Sequence, residues 1–431
     1  MAEELRGITM AEDQSAPAPA KPPWRRALML VTVISLLNSM ASMIILPVLP
    51  KLLEGFTGDA GGAAKYVGYF AASFALIQFV AAPVLGSLSD AYGRRTVILI
   101  SAFGMSADYL FMALAPSIGW LFVGRMIAGV TAASAPAVNA YIADSIPPEE
   151  RAGAFGWTGA AFATGFLLGP SLGGLLGQVD PRLPFWASAG LCLCIAVYGL
   201  FVLPESLPKA KRRPFALRQS NPLGAAAFLA ERPVVRSLMT VQVAMFVAAQ
   251  CLPTTLVLYT GYRFGWSTGV VGLYLTCAGI GHLVVQSLIV KRFVKRFGER
   301  TAAITGFTAT AIGFCIYASA PAGQWFPIGL PFYALAGLVG PALQSQMSRQ
   351  VPQSEQGRLQ GTMACLTSLT GLVAPIMFTQ AFSFAVGPGK GHFPAGLHMY
   401  LGAAILATGA VLAARNMRVA QVEAQAAATA Q

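Results

Sequence analysis

Charge is what this sequence has least of. Only 11% of its residues are Asp, Glu, Lys or Arg, against 55% that are hydrophobic, and a mean hydropathy of +0.62 lies outside the range of soluble multidomain proteins. Acidic residues are scarcer still, 17 against 29 basic ones, and none falls between Glu299 and Glu355. There is no H-E-x-x-H, no G-x-S-x-G and no P-loop pattern, which argues against an intramembrane hydrolase and against nucleotide drive. The six cysteines (Cys192, Cys194, Cys251, Cys277, Cys315, Cys365) all sit inside apolar runs and read as small core residues, not as disulfides or metal ligands. The first 26 residues are polar and Ala/Pro-rich, lack the apolar segment of a cleaved signal, and are expected to form a disordered tail.

What the chain does have is a series of hydrophobic runs, each of about 20 residues, the length that spans about 30 Å of hydrocarbon as a helix. Twelve are predicted, at 27–50, 64–88, 96–115, 119–143, 154–178, 184–204, 237–259, 267–290, 301–320, 326–348, 359–385 and 398–414. The expected fold is therefore an all-α, multi-pass membrane protein. With the N-terminus inside, 23 of the 29 basic residues fall on the cytoplasmic side, so both termini are assigned there. The net charge of +12 then serves insertion and anionic lipid head groups, and is no argument for nucleic acid. The expected location is the cell membrane, the inner one in a Gram-negative host.

A basic, proline-punctuated stretch over 204–233 separates the sixth and seventh runs. Shifting the chain by 205 residues superimposes Gly93 on Gly298, Arg95 on Arg300, Thr96 on Thr301, Pro136 on Pro341, Pro147 on Pro352, Glu150 on Glu355, Gly156 on Gly361 and Pro170 on Pro375. The shift preserves direction across the membrane, so it describes a parallel repeat of two six-helix bundles. The expected organisation is a tail (1–26), a first bundle (27–204), a cytoplasmic linker (205–236), a second bundle (237–414) and a tail (415–431). Two such halves with a site between them can rock to expose it on either side.

Between the second and third runs lies GSLSDAYGRRTVIL, 86–99. Gly86 suits close helix contact, Gly93 a tight turn, and Arg94 and Arg95 cytoplasmic retention. Asp90 falls near a helix C-terminus, where the macrodipole disfavours it, and so requires a partner: the start of the eleventh run or a neighbouring arginine. Asp144 and Arg151, at the ends of the fourth and fifth runs, complete the candidate gate. In the fifth run, GFLLGPSLGGLLG places Gly165, Gly169, Gly173 and Gly177 on one helix face, with Gly174 beside them and Pro170 bending the helix.

The 86–99 loop resembles the signature of the major facilitator superfamily, in which it implies a cytoplasmic latch; its second-half counterpart, KRFVKRFGERT, has Lys295 in place of Asp90. The glycine stretch resembles that superfamily's antiporter motif and implies efflux. LPVLPKLL, ADYLFMALAP, GRMIAGVTAASAPAVNAYIAD, GIGHLVVQ and GRLQGTMACLTSL are similar to stretches of its tetracycline-efflux branch. The chain departs from that branch at Asn38 and Thr310, where the exporters carry aspartates. Its remaining charges suit a neutral, weakly basic or zwitterionic drug better than a metal–tetracycline cation.

Asp108 is the one carboxylate of the third run, and an ionisable group at that depth costs about 2.5 to 3.5 kcal/mol on insertion scales, which marks it as functional. Arg125 lies as far beyond the outer loop as Asp108 lies before it, so the two fall at a common depth of roughly 12 Å and can pair. His282 is the only histidine inside the predicted hydrocarbon, with His392 and His398 by the outer surface; it falls where the tetracycline exporters carry theirs. Asp108, His282 and Arg125 are the candidates for proton coupling. Asn38, Gln78, Asn139, Gln242, Gln250, Gln286 and Gln344 are the candidate polar lining of a cavity, with Phe70, Phe74, Tyr141, Phe246 and Tyr259 as its apolar wall. The expectation is a monomeric transporter that exports a small amphipathic molecule against protons, with no cofactor and no metal.

Overall fold

The computed structural model describes residues 23–131, 134–147, 150–208, 210, 212, 223–352 and 355–429; most of the amino-terminal tail and the middle of the linker lie outside them. The two glycines related by the 205-residue shift adopt one conformation: Gly93 has φ 104° and ψ 154°, Gly298 φ 81° and ψ 163°. A side chain at positive φ is strained, so glycine is what allows each chain segment to leave one helix and enter the next without a spacer.

The first lobe contains α1 (Pro23–Ile44), α2 (Leu49–Thr57), α3 (Ala60–Tyr92), α4 (Arg94–Leu114), α5 (Ile118–Thr131), α6 (Ser134–Ser145), α7 (Arg151–Val179) and α8 (Leu183–Val202). After α9 (Leu223–Glu231), the second lobe contains α10 (Pro233–Ala249), α11 (Cys251–Phe264), α12 (Thr268–Val284), α13 (Val290–Ser319), α14 (Leu330–Ala334), α15 (Val339–Arg349), α16 (Gln356–Val386) and α17 (Leu397–Thr429). Among the described residues there is no strand, only an isolated bridge between Lys390 and Phe393. Ten of the described helices are long and apolar enough to cross a bilayer, fewer than the twelve predicted runs, for two reasons. Residues 268–319 form one 52-residue stretch, about 78 Å at 1.5 Å per residue and too long for a single crossing; Gly298 divides it into the predicted eighth and ninth runs. The predicted fourth run corresponds to the short apolar helix α5 and to α6 after it.

The expected linker is not loop throughout. Its far end folds as α9, where Phe228 is fully buried and Glu231 pairs with Arg358 of α16 at 3.3 Å. The expected carboxy-terminal tail likewise continues α17 as helix to Thr429.

The lobes meet along α3 with α16 and α7 with α12. A Cβ on Gly68 would lie 3.2 Å from the Ile376 Cα, and one on Gly174 3.1 Å from the Gly269 Cα. Gln178 donates to Ser267 Oγ at 3.1 Å, Gln380 to the Tyr69 hydroxyl at 3.2 Å and Thr268 to the Gly174 carbonyl at 3.1 Å. All of these contacts lie toward one end of the bundle. At the other end, which carries Arg94, Arg95, Arg151, Arg349 and Arg358 and is called here the basic face, a Cβ on Gly86, Gly156, Gly159 or Gly361 would meet nothing within 4 Å. The cleft between the lobes is closed at one end and open at the basic face.

Candidate functional site

A cavity of about 520 Å3 lies between the lobes. Ser42, Met43, Phe70, Phe74, Gln78, Met105, Tyr109 and Arg125 line it from the first lobe; Gln250, Pro253, Thr254, Thr367, Ser368 and Pro375 line it from the second. Arg125 is the only charged residue in that lining. Its Nε is buried without a hydrogen-bond partner, and its guanidinium lies 5.4 Å from the centre of the Phe74 ring, a cation–π distance.

Asp108 is 0% exposed, and neither carboxylate oxygen has a hydrogen-bond partner among the described residues. It does not line the cavity, but its neighbours Tyr109 and Arg125 do. The direct Asp108–Arg125 pair expected from their common depth is not formed. Asp108 rests against Gly124, where an added Cβ would lie 2.8 Å from Oδ1. Arg125 follows one residue later, about 100° further round the helix, and so its side chain is carried toward the cavity. The two act on each other through space, without contact.

His282 and Gln286 line a second cavity of about 340 Å3, with Phe162, Phe166 and Tyr333. It shares Leu46 and Pro253 with the larger one. Gln286 belongs to a π-helical turn, Val285–Ile289, directly after α12; such turns collect at functional sites. Asp108 and His282 sit in different lobes and share no cavity among those described. Asn38 and Asn139 line a third cavity of about 270 Å3 in the first lobe, with Ser35, Ser101 and Thr158.

Not every predicted lining residue reaches a cavity. Gln242 is buried with its Oε1 unpartnered, because α10 packs along α17 inside the second lobe. Gln344 lines none of the described cavities and sits on α15 beside Ser345, which donates to Glu299 at 2.6 Å. Phe70 and Phe74 form cavity wall, whereas Tyr141 and Tyr259 are core residues of their lobes and Phe246 lines no described cavity. His398, the second residue of α17, lies at the end of its run but is 0% exposed, with the rings of Tyr259 and Phe382 each 5.2 Å away.

The candidate gate is organised around Arg94. It pairs with Asp90 through Nη1 and with Asp144 through Nε at 3.0 Å, so the partner of Asp90 is the neighbouring arginine. Burial acts to lower the Arg94 pKa, but hydrogen bonds and attraction from Asp144 and Asp90 outweigh it and the net shift is upward. Arg95 donates to the Leu200 carbonyl, and Arg151 to the Ile146 carbonyl at 3.0 Å. A Cβ on Gly86 would meet nothing within 4 Å, so the close helix contact expected there is not made. Glu205, which sequence reasoning missed, accepts from the Arg94 amide at 2.9 Å and the Leu207 amide at 3.0 Å, capping α4; its signal was an acid opening an otherwise basic stretch.

The 205-residue shift carries Arg94 onto Glu299 and Asp144 onto Arg349. Glu299 and Arg349 also pair, at 2.7 Å. Each lobe thus holds the same ion pair with its charges exchanged, which accounts for the loss of Asp90's equivalent at Lys295. Among the described residues no ion pair joins the two lobes, consistent with an open basic face.

The glycine stripe of α7 serves two partners. Gly165, Gly169 and Gly173 face α1 at Ser39, Met43 and Ile44, and Gly174 and Pro170 face α12 at Gly269 and Gly272. Gly177 lies between Val48 and Thr268. Pro170 and its repeat partner Pro375 both fall at interlobe contacts.

The family pattern described as Major Facilitator Superfamily matches residues 31–375. The chain is 39% identical over 329 residues to the class C tetracycline resistance protein of Escherichia coli, covering 76% of this chain and 83% of that one. It is 27% identical over 356 residues to multidrug resistance protein 2 of Bacillus subtilis, covering 78% and 84%. The D-xylose–proton symporter has the same fold, with a TM-score of 0.72 at 18% identity over 91% of this chain and 97% of that one. Family and fold are those of a transporter rather than an enzyme, and the chain belongs to the major facilitator superfamily, on the branch of the tetracycline resistance proteins.

Proposed function

We propose that this protein exports small amphipathic compounds, drugs of the tetracycline kind among them, in exchange for protons. The relatives' names, tetracycline resistance protein and multidrug resistance protein, support the substrate class. The observation that carries the coupling is Asp108, wholly buried and unpartnered, one residue from the cavity-lining Tyr109 and behind the lone cavity charge, Arg125. A carboxylate in low dielectric must take a proton or find a cation. A substrate cation or N–H donor brought to the Tyr109 side of the cavity favours the ionised form of Asp108 behind it and expels its proton, so loading and proton release are linked. The cavity supplies one cation and several neutral amides and hydroxyls, which suits a neutral or zwitterionic compound that presents an oxygen to Arg125 and rings to Phe70 and Phe74. His282, at the second cavity, is the other proton-coupling candidate.

The basic face is cytoplasmic in this reading, with both termini inside, so the state described is the one that loads substrate. Arg94 with Asp90 and Asp144, and Glu299 with Arg349, shape the loops that close when the cleft opens at the far end. One chain contains the whole cavity and acts as a monomer, with protons as the coupling ion. Everted vesicles test this directly: tetracycline added outside should accumulate and dissipate an inside-acid gradient. Accumulation that ignores the gradient would exclude proton exchange, and uptake in the opposite sense would exclude export.

A further inference from the structure

A groove of about 530 Å3 lies between the first turns of α1 and α7, with Trp24, Arg25 and Met29 on one side and Glu150, Gly153 and Trp157 on the other. It lies on the face of α7 away from the first-lobe cavity. On α7, Phe155 and Phe162 line the first-lobe cavity and, seven residues apart, share one helix face; Trp157 lies about 200° round from Phe155. Trp157 is 66% and Met29 60% exposed, and a Cβ on Gly153 would meet nothing within 4 Å, so the groove is open along its length. Both helices begin at the basic face, and a Trp near the start of each suits a head-group boundary.

Its charges are unusual for an apolar groove. The Arg25 guanidinium lies over the Trp24 ring at 5.5 Å, and Glu150 lines the same space, yet neither is in an ion pair with a described residue. A ligand that meets both carries an anion and a hydrogen-bonding cation on one head group, above an apolar tail.

We propose that this groove binds a phospholipid with a primary-ammonium head group, of the phosphatidylethanolamine class. The phosphate takes Arg25, the ammonium donates to Glu150, and an acyl chain runs along Met29 and Trp157. A choline head group has no N–H to donate to Glu150, and a glycerol head group has no cation to match it. The site is independent of whether protons drive transport.

The test is native mass spectrometry of the purified full chain equilibrated with mixed micelles of phosphatidylethanolamine, phosphatidylcholine and phosphatidylglycerol bearing identical acyl chains. One phosphatidylethanolamine should be retained in preference to the other two by about three- to fivefold, the scale of one exposed ion pair. Glu150→Gln should remove the preference over phosphatidylcholine, Arg25→Gln should lower retention of all three, and Gly153→Leu should fill the groove and displace the lipid. Melting temperatures in lipid-free detergent that match the wild type show that the variants are folded. Equal retention of phosphatidylethanolamine and phosphatidylcholine by the wild type, or a preference that survives Glu150→Gln, would overturn the proposal.

Discussion

The closed end of the cleft is held by backbone against backbone, and one methyl group should open it. A Cβ on Gly174 would lie 2.5 Å from the Thr268 carbonyl oxygen, 3.1 Å from the Gly269 Cα and 3.2 Å from the Gly272 Cα. None of these is the movable end of a side chain, so α7 and α12 must separate to admit alanine. Overpacking of this kind costs about 1–3 kcal/mol. If the contact exists only in the state open at the basic face, that cost falls on this state alone, and the population ratio moves by roughly five- to 150-fold toward the opposite state. The assay is the labelling rate of a single cysteine replacing Thr379, which is 0% exposed where α16 packs on Gly68 of α3 across the closed end, with a membrane-impermeant maleimide in a background lacking the six native cysteines. Gly174→Ala should accelerate labelling within that range. Gly190→Ala is the control, because its Cβ meets nothing within 4 Å and α8 packs on α1, α4 and α7 of its own lobe, so its rate should equal the wild type's. Labelling of Gly174→Ala no faster than wild type, or equal acceleration by the control, would refute the reasoning.

The exchanged ion pairs predict that Glu299→Arg destabilises the detergent-solubilised protein by up to about 1 kcal/mol for a pair this near the surface, read as a lower melting temperature. Adding Arg349→Glu should recover much of the loss, as in the first lobe, and a double variant no better than the single would separate the two residues energetically. Gly298→Ala should cost about 1–2 kcal/mol because its φ of 81° is left-handed; thermal unfolding reads this, and an unchanged melting temperature would contradict the strain.

Hydropathy and the 205-residue repeat are one-dimensional signals, and what they encode was legible: the helical class, the two lobes, the paired turns at Gly93 and Gly298, and Asp108 as a carboxylate in an apolar run. Azimuth was not. Membrane helices are apolar on most faces, so periodicity gives little guide to which polar residue points inward; Gln250 reaches the cavity and Gln242 does not. The missing Asp108–Arg125 contact is the same failure at finer scale, since matching depth leaves the rotation of each side chain open. The burial of His398 was not legible because it comes from the rings of Tyr259 and Phe382, distant in sequence. Glu205 escaped because a cap is recognised only once the helix start it serves is placed beside it.

The account centres on a proton held by Asp108 that substrate displaces. The most direct measurement is proton release when tetracycline binds to purified protein in weakly buffered detergent solution, with no membrane and no gradient. The wild type should release protons in proportion to bound tetracycline. Asp108→Asn should bind tetracycline and release none. Release that persists in Asp108→Asn, or wild-type binding without release, would contradict the mechanism.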